Sequence, residues 1–297
     1  MRGEVGLQWL PIVLSLLNSD KERFVELITK VTSTPSTNIF TNKEAETLAR
    51  GNNLKRIAAV IYAAEKDHWL AHLPPLQEKL VDLLRNGTTD PIGSDVYLCL
   101  RVLLLRFSSR HLSAFWPVII TELMRLFEGC LEEVPADDSD ALQLVYSACK
   151  FLDFLLTLQT NDFQIHQWLF ITDTVDVVYP PSDWTPDSIL DRMASLLLKK
   201  KNGKTSKSGV KDALQYDDTK ANGSGDDINV AAADLVNSKR KPQLTGLGST
   251  ITKIEELQPF FAHVSLNAFE QTYDCGENID WKAVEQSVEA DLFPLED

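Results

Sequence analysis

Between Val96 and Phe107 the chain places only two polar residues, Arg101 and Arg106. A helix over this stretch is apolar nearly all round, so neighbours must cover it on most sides. This requirement calls for a layered helical protein, and the flanking sequence supplies the layers. Leu10, Val13, Leu14 and Leu17 form one stripe at three- and four-residue spacing, and Phe24, Leu27, Ile28 and Val31 form the next, with the polar turn Asn18-Ser19-Asp20 between them. After the loop Thr34-Pro35-Ser36-Thr37-Asn38 come Ala45, Leu48 and Ala49, then Leu54, Ile57, Ala58 and Ile61, a helix weakened at Gly51. Pro75, Leu76, Leu80, Leu83 and Leu84 make a further helix that stops at Asn86-Gly87. Pro117 opens the helix whose buried stripe is Ile120, Leu123, Met124, Phe127 and Leu131. Leu142 to Leu158 follows the acidic loop Asp137-Asp138-Ser139-Asp140, with Leu144, Val145, Ala148, Leu152, Leu155 and Leu156 facing inward. Trp168 to Val178 is rich in β-branched and aromatic residues and reads as extended chain. Trp116 and Trp168 are expected as core anchors.

The fold expected is all-α, a HEAT/armadillo-like array of antiparallel helix pairs with a disordered basic insertion. Pro11, Pro75 and Pro117 each stand at the start of a leucine-rich stretch, 64 and then 42 residues apart. The second interval fits the period of helix-pair repeats, roughly 40–47 residues, and the first does not. An ordinary helical bundle that uses Pro at its helix starts is the alternative. Composition then divides the chain. Residues 1–198 form the helical-repeat domain, 199–248 a disordered basic linker rich in Lys, Asp, Ser, Gly and Asn, and 249–297 an acidic helical segment that packs back on the repeats. Its helices are marked by Ile254, Leu257, Phe260, Phe261, Val264 and Leu266, then by Trp281, Val284, Val288 and Leu292. The formal net charge of -14 is unevenly spread: residues 199–245 carry 10 Lys or Arg against 6 Asp, and the flanking parts hold the acid excess.

That acid excess argues against a whole-chain nucleic-acid binder, which needs a basic face to neutralise phosphates. Four scattered cysteines without a C-x-x-C pair point to neither a disulfide scaffold nor a metal site, and imply a reduced, intracellular setting. Trp9 to Leu17 is apolar, but Pro11 interrupts it and no small-residue cleavage site follows, so it reads as a core helix rather than a signal peptide. Tyr97 to Phe107 falls short of the roughly 20 residues a spanning helix needs. Asn86-Gly87-Thr88 and Asn222-Gly223-Ser224 match the glycosylation pattern without a route to the machinery.

Catalytic readings are weak. His68 and His72 are four apart, a spacing that puts both imidazoles on one helical face, but Trp69 stands where a zinc hydrolase needs Glu and no third ligand is near. Gly203-Lys204-Thr205 imitates a P-loop end without its first glycine or its strand. No nucleophile elbow is present, and Glu132-Glu133 and Asp137-Asp138 read as solvated charges. The expectation is no enzyme, no cofactor and no metal. Arg101 and Arg106 lie about 140° apart around a helix and cannot share one ligand, so at least one is expected to find a carboxylate or carbonyl inside the stack. Direct contact with an anionic lipid surface is expected from Lys199, Lys200, Lys201, Lys204, Lys207 and Lys211, which follow Leu196-Leu197-Leu198. A nuclear-import signal is a second use of the same run, and a solvated linker a third.

The run Tyr97-Leu98-Cys99-Leu100-Arg101-Val102-Leu103-Leu104-Leu105-Arg106-Phe107-Ser108-Ser109-Arg110-His111-Leu112-Ser113-Ala114-Phe115-Trp116-Pro117-Val118-Ile119-Ile120-Thr121-Glu122-Leu123 closely resembles the C-terminal region of the Dopey family. Leu73-Pro74-Pro75-Leu76-Gln77-Glu78-Lys79-Leu80, Tyr146-Ser147-Ala148-Cys149-Lys150-Phe151-Leu152-Asp153 and Glu256-Leu257-Gln258-Pro259-Phe260-Phe261 carry the same resemblance in the same order. It spans roughly residues 50–293, apart from the basic linker and Val175 to Pro186. The resemblance implies a C-terminal piece of a very large cytosolic protein, peripheral on Golgi and endosome membranes and without catalytic activity. It further implies a scaffold in endosome-to-Golgi transport and cell morphogenesis. Its implied partners are a large HEAT-repeat relative of the Arf exchange factors, phosphoinositide lipid and motor adaptors. The competing expectation is a nuclear or cytosolic interaction adaptor.

Overall fold

The computed structural model describes residues 2–32, 43–85, 90–173, 175, 176, 179, 182, 188–204, 239–248, 250–274 and 278–294. The Thr34 to Asn38 loop, both glycosylation-like triplets, Thr205, Lys207 and Lys211 lie outside them or extend beyond them. The chain forms α1 (Arg2–Ser19), α2 (Lys21–Thr32), α3 (Lys43–Ala63), α4 (Leu73–Arg85), α5 (Asp90–Arg106), α6 (Trp116–Glu132), α7 (Asp140–Leu158), the single turn α8 (Asn161–Gln164), α9 (Ile189–Lys204), α10 (Gln258–Asp274) and α11 (Trp281–Leu292). Among the described residues the one extended pairing is a bridge between Arg240 and Ile279. The fold is all-α, as the apolar periodicity predicts.

Successive helices alternate between two layers. α3, α5 and α7 lie side by side, α2, α4 and α6 do the same, and each hairpin straddles the gap. α9 packs on α6, α10 on α9 and α7, and α11 on α5 and α3. α5 therefore sits in the middle of its layer, which is why Val96 to Leu103 are all buried, Arg101 included. Two glycines let its neighbours approach. A Cβ on Gly51 of α3 would stand 2.4 Å from Asp95 Oδ2, and one on Gly93 would stand 2.8 Å from Leu144 Cδ1 of α7. Gly51 is thus a contact point inside a continuous helix rather than a weak place in it. α7, the helix that crosses most of the core, is capped by Ser139, whose Oγ accepts from the Leu142 N–H at 3.1 Å, and ends at Gln159 with a left-handed φ of 47°.

Several expectations give way to tertiary packing. Pro11 lies inside α1, which begins well before it at Arg2. Val13 and Leu48 face outward, at 37% and 66% exposure. Trp116 is buried but Trp168 is 70% exposed, because Phe163 and Phe170 take the interior positions on either side of it and stack at 6.1 Å. The described part of Trp168 to Val178 makes short helical turns rather than extended chain. The helix ahead of the basic stretch continues through Lys199 to Lys204, and the chain is again placed against the core from Lys239, with Arg240 and Leu244 buried. Asp67-His68-Trp69 is a turn with Asp67 at φ 62°, so His68 and His72 do not share a helical face. Trp69 anchors it against Phe24 at 4.2 Å, and His68 Nε2 meets Asn18 Oδ1 at 2.8 Å.

Candidate functional site

Of the six lysines singled out in the sequence, Lys199 and Lys200 are the ones whose side chains are described. Lys199 is exposed, Lys200 reaches Glu255 with its Nζ 3.9 Å from Oε1, and Lys201 and Lys204 continue the α9 backbone. Charge is concentrated where α5, α7, α11 and residues 239–248 meet. Arg101 projects from the buried middle of α5 and, one turn apart on α7, Lys150 and Asp153 are the charged residues between Leu142 and Leu158. Two cavities of about 640 and 700 Å³ flank this point, and both are lined by Arg101, Lys150, Thr250, Asp291 and Pro294. They form one cleft divided by a bridge of charges.

Asp291 of α11 is the centre of that bridge. Its carboxylate accepts from Lys150 Nζ at 2.8 Å and from the Arg101 guanidinium. Lys150 also donates to the Gly248 carbonyl at 3.2 Å and lies 4.3 Å over the Tyr146 ring. Burial holds the Lys150 ammonium below the ordinary lysine range, with Asp291 pulling it back up. Two more carboxylates of α11 extend the row: Glu285 takes Arg106 at 3.3 Å, and Glu289 accepts from the Tyr62 hydroxyl at 2.9 Å. Both arginines of α5 therefore find a carboxylate on α11, 190 residues away for Arg101 and 179 for Arg106. Burial, with the Glu289 carboxylate beside it, pushes the Tyr62 phenol up.

Asp153 ties down the segment 239–248, whose Arg240 pairs with the residues just before α11. Its Oδ2 accepts from the N–H groups of Gln243 and Leu244 at 2.6 and 2.9 Å. Complete burial pushes its carboxyl up to about 7 against the pull of those donors. Across the cleft, burial raises Asp95 to about 6 while Lys55 at 3.4 Å opposes it. Raised carboxyls in a cleft are a common mark of catalysis. Here Asp153 is occupied by backbone donors and Asp95 by Lys55, and no serine, cysteine or histidine is hydrogen-bonded to either among the described residues. Nor does any described group of three His, Cys, Asp or Glu side chains have the arrangement of a metal site. The arrangement joins helices and offers a charged groove.

Sequence reasoning picked out Arg101 and Arg106 but missed Lys150, Asp153 and Asp291. A usable signal was present: Lys150 and Asp153 are the only charged residues between Leu142 and Leu158. Their partners lie about 90 to 140 residues downstream, which no local spacing discloses.

The family model described as DOP1 C-terminal matches residues 3–274. The chain is 29% identical over 302 residues to Protein dop1 of Emericella nidulans, an alignment covering 96% of this chain and 15% of that protein. It is 30% identical over 209 residues to Protein pad-1 of Caenorhabditis elegans, covering 64% of this chain and 9% of that protein. With Protein DOP1 of Saccharomyces cerevisiae the identity is 26% over 255 residues, covering 84% of this chain and 13% of that one. The chain thus spans about 15% or less of the length of these relatives. No solved structure matches it.

Proposed function

Because the chain belongs to the DOP1, or Dopey, family through that family's C-terminal region, we propose that it serves as a non-catalytic scaffold in intracellular membrane traffic, in endosome-to-Golgi transport and cell morphogenesis. The match of residues 3–274 carries this reading. Two further features support it: alternating helix layers of the kind found in HEAT-like arrays present long surfaces for protein partners, and the charged cleft pairs its groups with one another rather than poising them for chemistry. The partner proposed is a large HEAT-repeat relative of the Arf exchange factors, and the site of action the cytoplasmic face of Golgi and endosome membranes. The basic run from Lys199 to Lys211 is proposed as an auxiliary contact to anionic lipid, at about 1 kcal/mol per lysine near the surface.

Affinity purification of the full-length parent protein, with and without this region, tests the scaffold role. Loss of the exchange-factor relative on deletion supports it, and unchanged recovery sinks it for this region. Co-sedimentation with phosphoinositide-containing vesicles tests the lipid contact. Changing all six lysines to Gln is expected to release the chain to the supernatant, and equal pelleting of both chains removes lipid from the proposal.

A further inference from the structure

α11 is held to the array by a face that combines three buried apolar side chains with three carboxylates. Of its 12 residues only Val284, Val288 and Leu292 are buried. Glu285, Glu289 and Asp291 reach Arg106, Tyr62 and the Arg101 and Lys150 pair. The row runs antiparallel to α5, since Arg106 at its end takes Glu285 and Arg101, five residues earlier, takes Asp291. α7, by contrast, buries a largely apolar set that includes Phe151, Leu152, Phe154 and Leu155. The residues that receive α11 belong to α3, α5 and α7, all within the stretch matched by the family model.

We propose that the face formed by α3, α5 and α7 is a docking groove for an acidic amphipathic helix of a partner protein, which α11 occupies in cis as a built-in stand-in. The groove offers three cations, Arg101, Arg106 and Lys150, beside apolar seats for side chains at positions i, i+4 and i+8. A partner helix with carboxylates at i+1, i+5 and i+7 repeats the spacing of Glu285, Glu289 and Asp291 from Val284. Specificity follows from burial: Arg101 is 3% exposed, so a displacing helix must bring a carboxylate to it or leave a buried charge unpaired. The N-terminal end of α11 stays tethered meanwhile. Arg240 N–H donates to the Asn278 carbonyl at 2.8 Å, Asp280 N–H donates to the Arg240 carbonyl at 2.9 Å, and Asp280 caps the helix. A tethered helix competes at high local concentration, which makes the groove selective for strong partners. The groove stands on these contacts alone and does not depend on a role in membrane traffic.

The probe is a fluorescently labelled peptide of residues 278–294, titrated by anisotropy against the full chain. The native chain is expected to bind it weakly, because α11 competes. The double variant Glu289→Lys and Asp291→Lys is expected to bind it at least ten-fold more tightly, and adding Arg106→Glu to that variant is expected to reverse the gain. A scrambled peptide serves as control. Hydrogen exchange on the native chain supplies a measurement that needs no variant: amides of α11 are expected to exchange at least 100-fold faster than those of α5 and α7. No gain in peptide binding by a folded double variant, or exchange in α11 as slow as in α5, overturns the proposal and makes α11 a permanent part of the core.

Discussion

Asp291 accepts charge-assisted bonds from two helices at once, Arg101 of α5 and Lys150 of α7, and its side chain is 12% exposed. Glu285 takes one bond from Arg106 and is 42% exposed. Solvent therefore screens the second pair and not the first. Asp291→Ala is expected to lower unfolding stability by about 3 kcal/mol or more, because two cations are left without their carboxylate in a partly dry site. Glu285→Ala should cost under about 1 kcal/mol. Urea midpoints compare them, and equal losses would show that Asp291 is better hydrated than its burial indicates. Asp153 gives a pH dependence. Its folded carboxyl lies near 7 because it is buried, against about 3.9 in an unfolded chain. Below pH 4 both states hold the proton. As pH rises from 4 to 7 the unfolded chain releases it and the folded chain keeps it, so stability falls through that window and levels off above it. Asp153→Asn does not titrate. The stability of the native chain relative to this variant is therefore expected to drop by roughly 3 kcal/mol between pH 4.5 and 7.5. A difference that stays flat with pH would mean the carboxylate is already ionised in the fold, held by the two backbone N–H groups.

At the scale of helices, α7 shows how capping and composition act together. Ser139 satisfies the Leu142 N–H from outside the helix, and Asp140 places a negative charge in the first turn, where the helix dipole favours it. Ser139→Ala is expected to cost about 1 kcal/mol, read as a lower thermal midpoint, while Thr121→Ala on the exposed face of α6 should change it little. The existence of α4, α6 and α7 was legible from apolar spacing, and that of α5 from an apolar run on all sides of the helix. α1 was legible as a helix but not in its extent. Its Pro11 resembles a start signal, yet the helix already runs from Arg2, so the proline sits in its interior at the expense of one backbone hydrogen bond. Trp168 shows the opposite failure. Size and hydrophobicity favour the interior, but Phe163 and Phe170 already fill the space available to that turn.

For the whole molecule, the layered array explains the state of the three described cysteines. Cys99 and Cys149 face the interior from α5 and α7, Cys130 from α6, and burial pushes the thiols of Cys99 and Cys130 up to about 12. All three are expected to resist alkylation in the native chain and to label fully in denaturant, as peptide mass spectrometry would show. Labelling of any of the three at native rates would require opening of the α5 and α7 layer. By itself the sequence determined that the protein is all-α, where most of its core helices lie, and that at least one of Arg101 and Arg106 needed a partner within the stack. Those conclusions rest on local period and on the high penalty for an unpaired buried charge, and both can be read along one dimension. Only the tertiary structure decided which carboxylates answer those arginines. Glu285 and Asp291 are nearly 180 residues or more from the charges they meet, and their choice depends on how α11 lies across α5, a relation between surfaces that no spacing along the chain encodes.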